Sequence, residues 1–181
     1  MPETDIGERH MFRKEWLAGA LVLGIVAVVA AIWLAPPARE PAPELDLTML
    51  SGDQRALSEF RNGPVMVVFW ATSCTTCVAE MPEIVELHET LAPAGLTILG
   101  VAMSYDPVDR VQALVEQRQL PYPIVIDHDG EIARSFNEVR VTPTTVLIDA
   151  DGGVVWQRIG LLDFHRVEQE VRRLLPSEQS A

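Results

Sequence analysis

The chain has 181 residues, two cysteines and a formal net charge of −12, and 48% of its residues are apolar. That length accommodates one domain of ordinary size and excludes a large multidomain enzyme; the apolar share excludes disorder. With one lysine, Lys14, and scattered arginines, it lacks the clustered positive charge that phosphate binding needs, so no nucleic-acid partner is expected.

Positions 17–35 are 19 consecutive uncharged, almost wholly apolar residues. At 1.5 Å per residue such a helix is roughly 28 Å long, close to the hydrocarbon thickness of a bilayer. Trp16 and Trp33 lie near its ends, where indoles favour the interface. A cleaved signal peptide has a shorter apolar region and a small-residue cleavage site, whereas Trp33-Leu34 and Pro36-Pro37 stand here. The expectation is a tail over 1–16 and an uncleaved transmembrane anchor over 17–35. Arg9, Arg13 and Lys14 precede the span and only Arg39 follows it closely. The positive-inside rule therefore puts the tail in the cytoplasm and the rest outside. Prolines 36, 37, 41 and 43 mark 36–44 as an extended, semi-rigid spacer.

Residues 45–176 alternate strand and helix patterns, leaving a short tail over 177–181. The continuous apolar run 65–71 reads as a strand buried on both faces. A helix follows over about 74–91, with Met81, Ile84, Val85, Leu87 and Leu91 on its apolar side. A second buried strand covers 97–103. Asp106-Pro107 then reads as an N-cap with proline at the first helical position, opening a helix to about Arg118. A third strand covers 122–127 and a short helix about 131–136. Strands 144–149 and 154–160 flank Ala150-Asp151-Gly152-Gly153, a hairpin signal. Asp163 caps a last helix with Phe164, Val167, Val171 and Leu174 inward and a Glu168–Arg172 pair outward. Parallel strand–helix–strand units, a hairpin and a closing helix point to an α/β fold: one mixed sheet covered on both faces.

Cys74-Thr75-Thr76-Cys77 follows a buried strand at the start of a helix. Free backbone N–H groups and the positive dipole end favour a thiolate there, so Cys74 is the expected attacking thiol. A spacing of three puts Cys77 on the same helical face, within reach to resolve a mixed disulfide. Half a metal site or an inert disulfide are the bland alternatives. A metal needs more ligands, and His10, His88, His128 and His165 are scattered. C-x-x-C within a strand–helix–strand pattern is the specific redox form, and it needs no cofactor and no metal.

Glu80 lies one turn beyond Cys77. It is either a carboxylate that tunes the thiols and shuttles protons, or a surface residue like Glu83, Glu86 and Glu89. Pro82 removes a helix N–H. Pro143, in Val141-Thr142-Pro143-Thr144, either starts a strand or is a cis proline presenting the Thr142 backbone to a bound peptide.

Phe69-Trp70-Ala71-x-x-Cys-x-x-Cys, Thr142-Pro143-Thr144 and Val146-Leu147-Ile148-Asp149-x-Asp151-Gly152 resemble the thioredoxin fold over about 45–175. More narrowly, Cys74-x-x-Cys77-x-x-Glu80-x-Pro82 resembles membrane-anchored TlpA/ResA-type thiol-disulfide reductases. The separation of 66 residues between Cys77 and Pro143 fits the extra βα unit of that group. The resemblance implies Cys74 as nucleophile, Cys77 as resolving thiol and Glu80 as a buried tuning carboxylate. It implies a cis Pro143, Thr142 as the backbone contact for substrate and Trp70 packed beside the site. It also implies a single-pass protein of the bacterial inner membrane with an extracytoplasmic catalytic domain. Its partners would be disulfide-containing exported proteins, such as apocytochrome c, and a membrane electron donor of the CcdA/DsbD type. Two departures stand out. Ser73 replaces the usual tryptophan, and Val68 stands where thioredoxin has a buried aspartate.

Reduction of exported proteins is the leading expectation. The same chemistry runs backward as an oxidase if the disulfide is poised high. A peroxidase related to peroxiredoxins, which resemble Pro-x-x-x-Thr-x-x-Cys, fits poorly. Counting back from Cys77 gives Cys74 and Trp70, and from Cys74 gives Ala71 and Val67. A Cu(I)-binding redoxin would use the two thiolates but has no evident third ligand.

Overall fold

Apolar runs rich in β-branched and aromatic residues build the sheet, and the stretches between them wind into helices. A computed structural model describes residues 39–175, together with positions 23–26, 29 and 33. The chain divides into two units, 1–38 and 39–181.

In the second unit, β1 (Asp46–Thr48) and β2 (Gln54–Ala56) form a small antiparallel hairpin. The central sheet comprises β3 (Val65–Trp70), β4 (Thr97–Ala102), β5 (Ile124–Ile126), β6 (Thr144–Ile148) and β7 (Val154–Ile159), in the order β5-β4-β3-β6-β7. β3, β4 and β5 run parallel, while β6 is antiparallel to both β3 and β7. The helices are α1 (Thr75–Leu91), α2 (Val108–Arg118), α3 (Glu131–Ser135) and α4 (Phe164–Leu174). The mixed α/β sheet thus matches the expected thioredoxin-like pattern.

Side chains alternate across a strand, so β3 feeds two cores. Met66, Val68 and Trp70 join α1, Val111 of α2, and Val167 and Val171 of α4. Val65, Val67 and Phe69 join Leu47, Leu57, Phe60 and Ile132 on the other face. That second face carries only the short α3, and the N-terminal hairpin and a 3₁₀ turn at Leu57–Phe60 complete its cover. Phe69 meets Phe136 edge-on with ring centroids 5.6 Å apart.

Two expectations need correction. The spacer over 36–44 does not run free to its end. Ala42 N–H donates to Gly152 O at 2.8 Å, Val154 N–H donates to Glu40 O at 2.8 Å, and Arg39 pairs with Asp149. Residues 39–44 are therefore tied to the β6–β7 turn, because their backbone groups find partners along the β7 edge. Nor does Asp106 cap α2. Pro107 is the N-cap and makes no side-chain cap bond, and the helix opens at Val108. The Asp106 side chain is engaged elsewhere, as described below. The anchor expected over 17–35 lies largely outside the described residues, as do the tails over 1–16 and 177–181. Positions 23–26, 29 and 33 are helical. Among the described residues no helix is long and apolar enough to cross a membrane.

Candidate active site

β3 ends at Trp70 and the chain turns through 71–74, with Cys74 N–H donating to Ala71 O at 3.1 Å. This turn delivers Cys74 to the N-cap of α1. Its Sγ accepts from the Cys77 N–H at 3.1 Å, one of the orphan donors of the first helical turn. Cys74 and Cys77 are joined as a disulfide with Cα atoms 5.3 Å apart. Cys77 is only 3% exposed, whereas Cys74 is half-buried. Cys74 is therefore the more accessible residue of the pair.

Glu80 is on the interior side of α1 and only 4% exposed, unlike the exposed Glu83, Glu86 and Glu89 of the same helix. Its carboxylate accepts the Leu162 N–H at 2.8 Å, from the segment after β7. Burial pushes its pKa above the ordinary glutamate range. The Leu162 hydrogen bond opposes that shift, and the charge of Glu83 adds to it. Glu80, Cys77, Trp70, Val68, Gly100 and Pro143 share the wall of a cavity of about 10 Å³. That is the scale of a single water molecule. Val68, at the thioredoxin aspartate position, supplies only apolar wall, so Glu80 is the carboxyl on this lining.

The Thr142–Pro143 peptide is cis. Pro143 is buried and its carbonyl accepts Gly160 N–H at 2.8 Å, which holds the loop before β6 to the end of β7. Thr142 is half-buried beside it. Four chain segments thus converge on the disulfide: the β3–α1 turn, α1, the loop before β6 and the segment after β7. Trp70, Cys77, Glu80 and Pro143 meet directly at one cavity, with Cys74 bonded to Cys77 and Thr142 flanking Pro143. Exposed apolar side chains stand one residue from three of the anchoring points: Tyr105 beside Asp106, Val141 beside Thr142 and Leu161 beside Leu162.

His88 packs edge-on to Tyr122 with centroids 5.9 Å apart, and burial lowers its pKa. Among the described residues no group of three or more His, Cys, Asp or Glu side chains gathers as a metal site. Two participants escaped the motif reading. Leu162 acts through its backbone N–H, which leaves no mark in a sequence. Asp106 grips Thr72, an engagement masked by its reading as a helix cap.

The model of the AhpC/TSA family matches residues 38–157. The chain belongs to this family. Thiol-disulfide oxidoreductase ResA of Geobacillus kaustophilus is 34% identical over 135 residues, covering 75% of this chain and 76% of that protein. Thioredoxin-like protein YneN of Bacillus subtilis is 28% identical over 172 residues, covering 87% and 97% respectively. The crystal structure of a thioredoxin-family thiol:disulfide interchange protein from Chlorobium tepidum superimposes with a TM-score of 0.71 at 25% identity. It covers 78% of this chain and 100% of that one. The ResA-type resemblance read from the motif therefore holds. With the Cys74–Cys77 disulfide at the helix start, the chain is a thiol-disulfide oxidoreductase of thioredoxin-like fold.

Proposed function

We propose that this oxidoreductase is a membrane-anchored, extracytoplasmic reductase of protein disulfides. The observation that carries the direction of electron flow is the buried Glu80 on the cavity it shares with Cys77. A carboxylate near a thiol disfavours the thiolate once the carboxyl ionises. Destabilising the reduced pair favours the disulfide form and lowers the potential, the reverse of a strong oxidant whose reduced form is stabilised.

In this reading the half-buried Cys74 thiolate attacks one sulfur of a substrate disulfide and the other sulfur leaves as a thiolate. Cys77 then attacks Cys74 in the mixed disulfide and expels the second substrate thiolate. The substrate gains two electrons and becomes a dithiol, and the protein is left with the Cys74–Cys77 disulfide. A carboxyl at Glu80 exchanges protons with Cys77 across the water-sized cavity. The exposed apolar Tyr105, Val141 and Leu161 around the site support a polypeptide substrate, with the Thr142 backbone beside Pro143 as its contact. Exported proteins, apocytochrome c among them, and a CcdA/DsbD-type membrane donor complete the proposed cycle. Anchoring through 17–35 is supported by the apolar run itself and by its helical positions with exposed side chains, such as Leu23 at 71% and Trp33 at 85%.

Equilibration of the full chain with a glutathione buffer tests the direction. A potential nearer thioredoxin, about −270 mV, supports a reductase, whereas one near about −120 mV would make the protein an oxidase. Extraction of membranes at alkaline pH tests the anchor: an anchored chain stays with the bilayer and a merely adsorbed one is released.

A further inference from the structure

Two loops meet beside the disulfide. One, 71–74, carries the chain from β3 to Cys74. The other, 103–107, carries it from β4 to α2. Two hydrogen bonds join them, just beyond a third that continues the β3–β4 ladder. Met103 N–H donates to Trp70 O at 3.0 Å, Thr72 N–H donates to Asp106 Oδ2 at 2.5 Å, and Thr72 Oγ1 donates to Asp106 Oδ1 at 2.5 Å. Asp106 is 7% exposed, and its own N–H donates to Met103 O at 2.9 Å, closing the turn that aims the carboxylate.

The carboxylate does nothing for its own helix, since α2 has no side-chain cap. Both of its oxygens are spent on one residue 34 positions earlier in the chain. Thr72 lies inside the turn closed by Cys74 N–H and Ala71 O, so the grip falls on the middle of the segment that places the reactive cysteine. Bonds to an ionised acceptor are roughly twice as strong as neutral ones, which suits a carboxylate to this task.

We propose that Asp106 is a positioning residue for disulfide exchange at Cys74–Cys77. Through Thr72 it fixes the turn 71–74 so that the Cys74 sulfur stays at the helix N-terminus, in line with the Cys77 N–H. The inference rests on the exchange activity of the pair. When the disulfide is reduced, the S–S bond no longer holds Cys74 in place, and the strap becomes the tie that does. Loosening it removes the Cys77 N–H and the helix dipole from the thiolate, so the thiol becomes less acidic and slower to attack.

The charge of Asp106 acts in the opposite direction. An anion near a thiolate disfavours it, so a purely electrostatic role predicts a more acidic Cys74 when the charge is removed. The two roles differ in sign, and Glu80, the carboxyl behind Cys77, is the same in every variant compared.

The test is alkylation of Cys74 by iodoacetamide as a function of pH, in the full chain carrying Cys77→Ser so that one thiol reports. Thr72→Val and Asp106→Asn, whose amide offers one acceptor for two donors, should each raise the midpoint. At neutral pH alkylation should slow about 3- to 10-fold, the scale of one lost ordinary hydrogen bond. Thr72→Ser, which keeps the hydroxyl, should restore the wild-type midpoint. A lowered midpoint in Asp106→Asn would overturn the proposal in favour of charge alone. Unmoved midpoints with only a lower melting temperature would overturn it in favour of a fold-maintaining bond. Exchange with oxidised glutathione is measured in parallel on the chain with both cysteines. A chain that fails to exchange refutes the activity, whereas intact exchange with unmoved midpoints refutes the strap alone.

Discussion

Gly100 sits on β4 where the site has least room, and Gly100→Ala probes how tightly the cavity wall is fitted. An added Cβ would stand 2.9 Å from Ile124 Cδ1, 3.2 Å from Trp70 Nε1 and 3.2 Å from Tyr122 Cε2. Ordinary carbon contacts lie near 3.5–4.0 Å. The Ile124 methyl end can swing away, but Trp70 and Tyr122 are buried and line the same cavity of about 10 Å³, too little to absorb a methyl group. Overpacking of this kind costs about 1–3 kcal/mol. The entropy removed from the unfolded chain by replacing glycine returns about 0.4–1 kcal/mol. The net loss spans about 0–2.6 kcal/mol and centres on about 1.3 kcal/mol, or roughly 3–5 °C in melting temperature for a chain of this size. Filling the cavity also removes the space beside Glu80 and desolvates its carboxyl further. The pH profile of disulfide exchange should therefore shift to higher pH. Thermal unfolding of the oxidised full chain and the pH dependence of exchange with a disulfide-bonded peptide check both parts. A raised melting temperature with an unchanged profile would refute the reasoning, since glycine's entropy would then outweigh any steric conflict.

Glu80→Gln tests the buried carboxyl. Because its pKa in the folded state is raised, its contribution to stability is complete below the ordinary glutamate range and is lost as pH rises through the raised value. The glutamine variant should lose that pH dependence, which urea unfolding at pH 4 and pH 8 would show; an identical pH dependence in both proteins would place Glu80 in solvent. Asp127 is 1% exposed and accepts the N–H groups of Ile132 and Ala133, each at 3.0 Å, at the start of α3. Asp127→Ala should cost about 2–4 kcal/mol by thermal or chemical unfolding, and a loss under about 1 kcal/mol would mean those donors find other partners. Ala42 is 5% exposed and its N–H is bonded to Gly152 O. Ala42→Asp should lower stability by about 1–3 kcal/mol, whereas a free spacer would tolerate it without change.

The parts of this fold that a reader of the sequence can see are those with a strong local cause. β3 announces itself as an unbroken apolar run because both of its faces are buried. α4 is visible through its Asp163 cap, which accepts Arg166 N–H at 3.1 Å, and through Val167 and Val171, both at 0% exposure. The redox pair is legible because spacing and position both matter chemically. β1 and β2 are not legible: three residues each are too short for a period, and their hairpin exists because it covers one sheet face. Glu80 could not be separated from its surface neighbours, since its burial depends on the chain returning at Leu162, 82 residues later. Asp106-Pro107 misled for a related reason. A cap and a tertiary strap draw on the same side-chain chemistry, and only folding brings Thr72 within reach.

Trapping tests the central account most directly. The full chain carrying Cys77→Ser is incubated with a disulfide-bonded peptide and the linked species are mapped. A stable mixed disulfide through Cys74 is expected, and none when Cys74→Ser is used with Cys77 intact. Trapping through the buried Cys77, or no trapping by either variant, would contradict it.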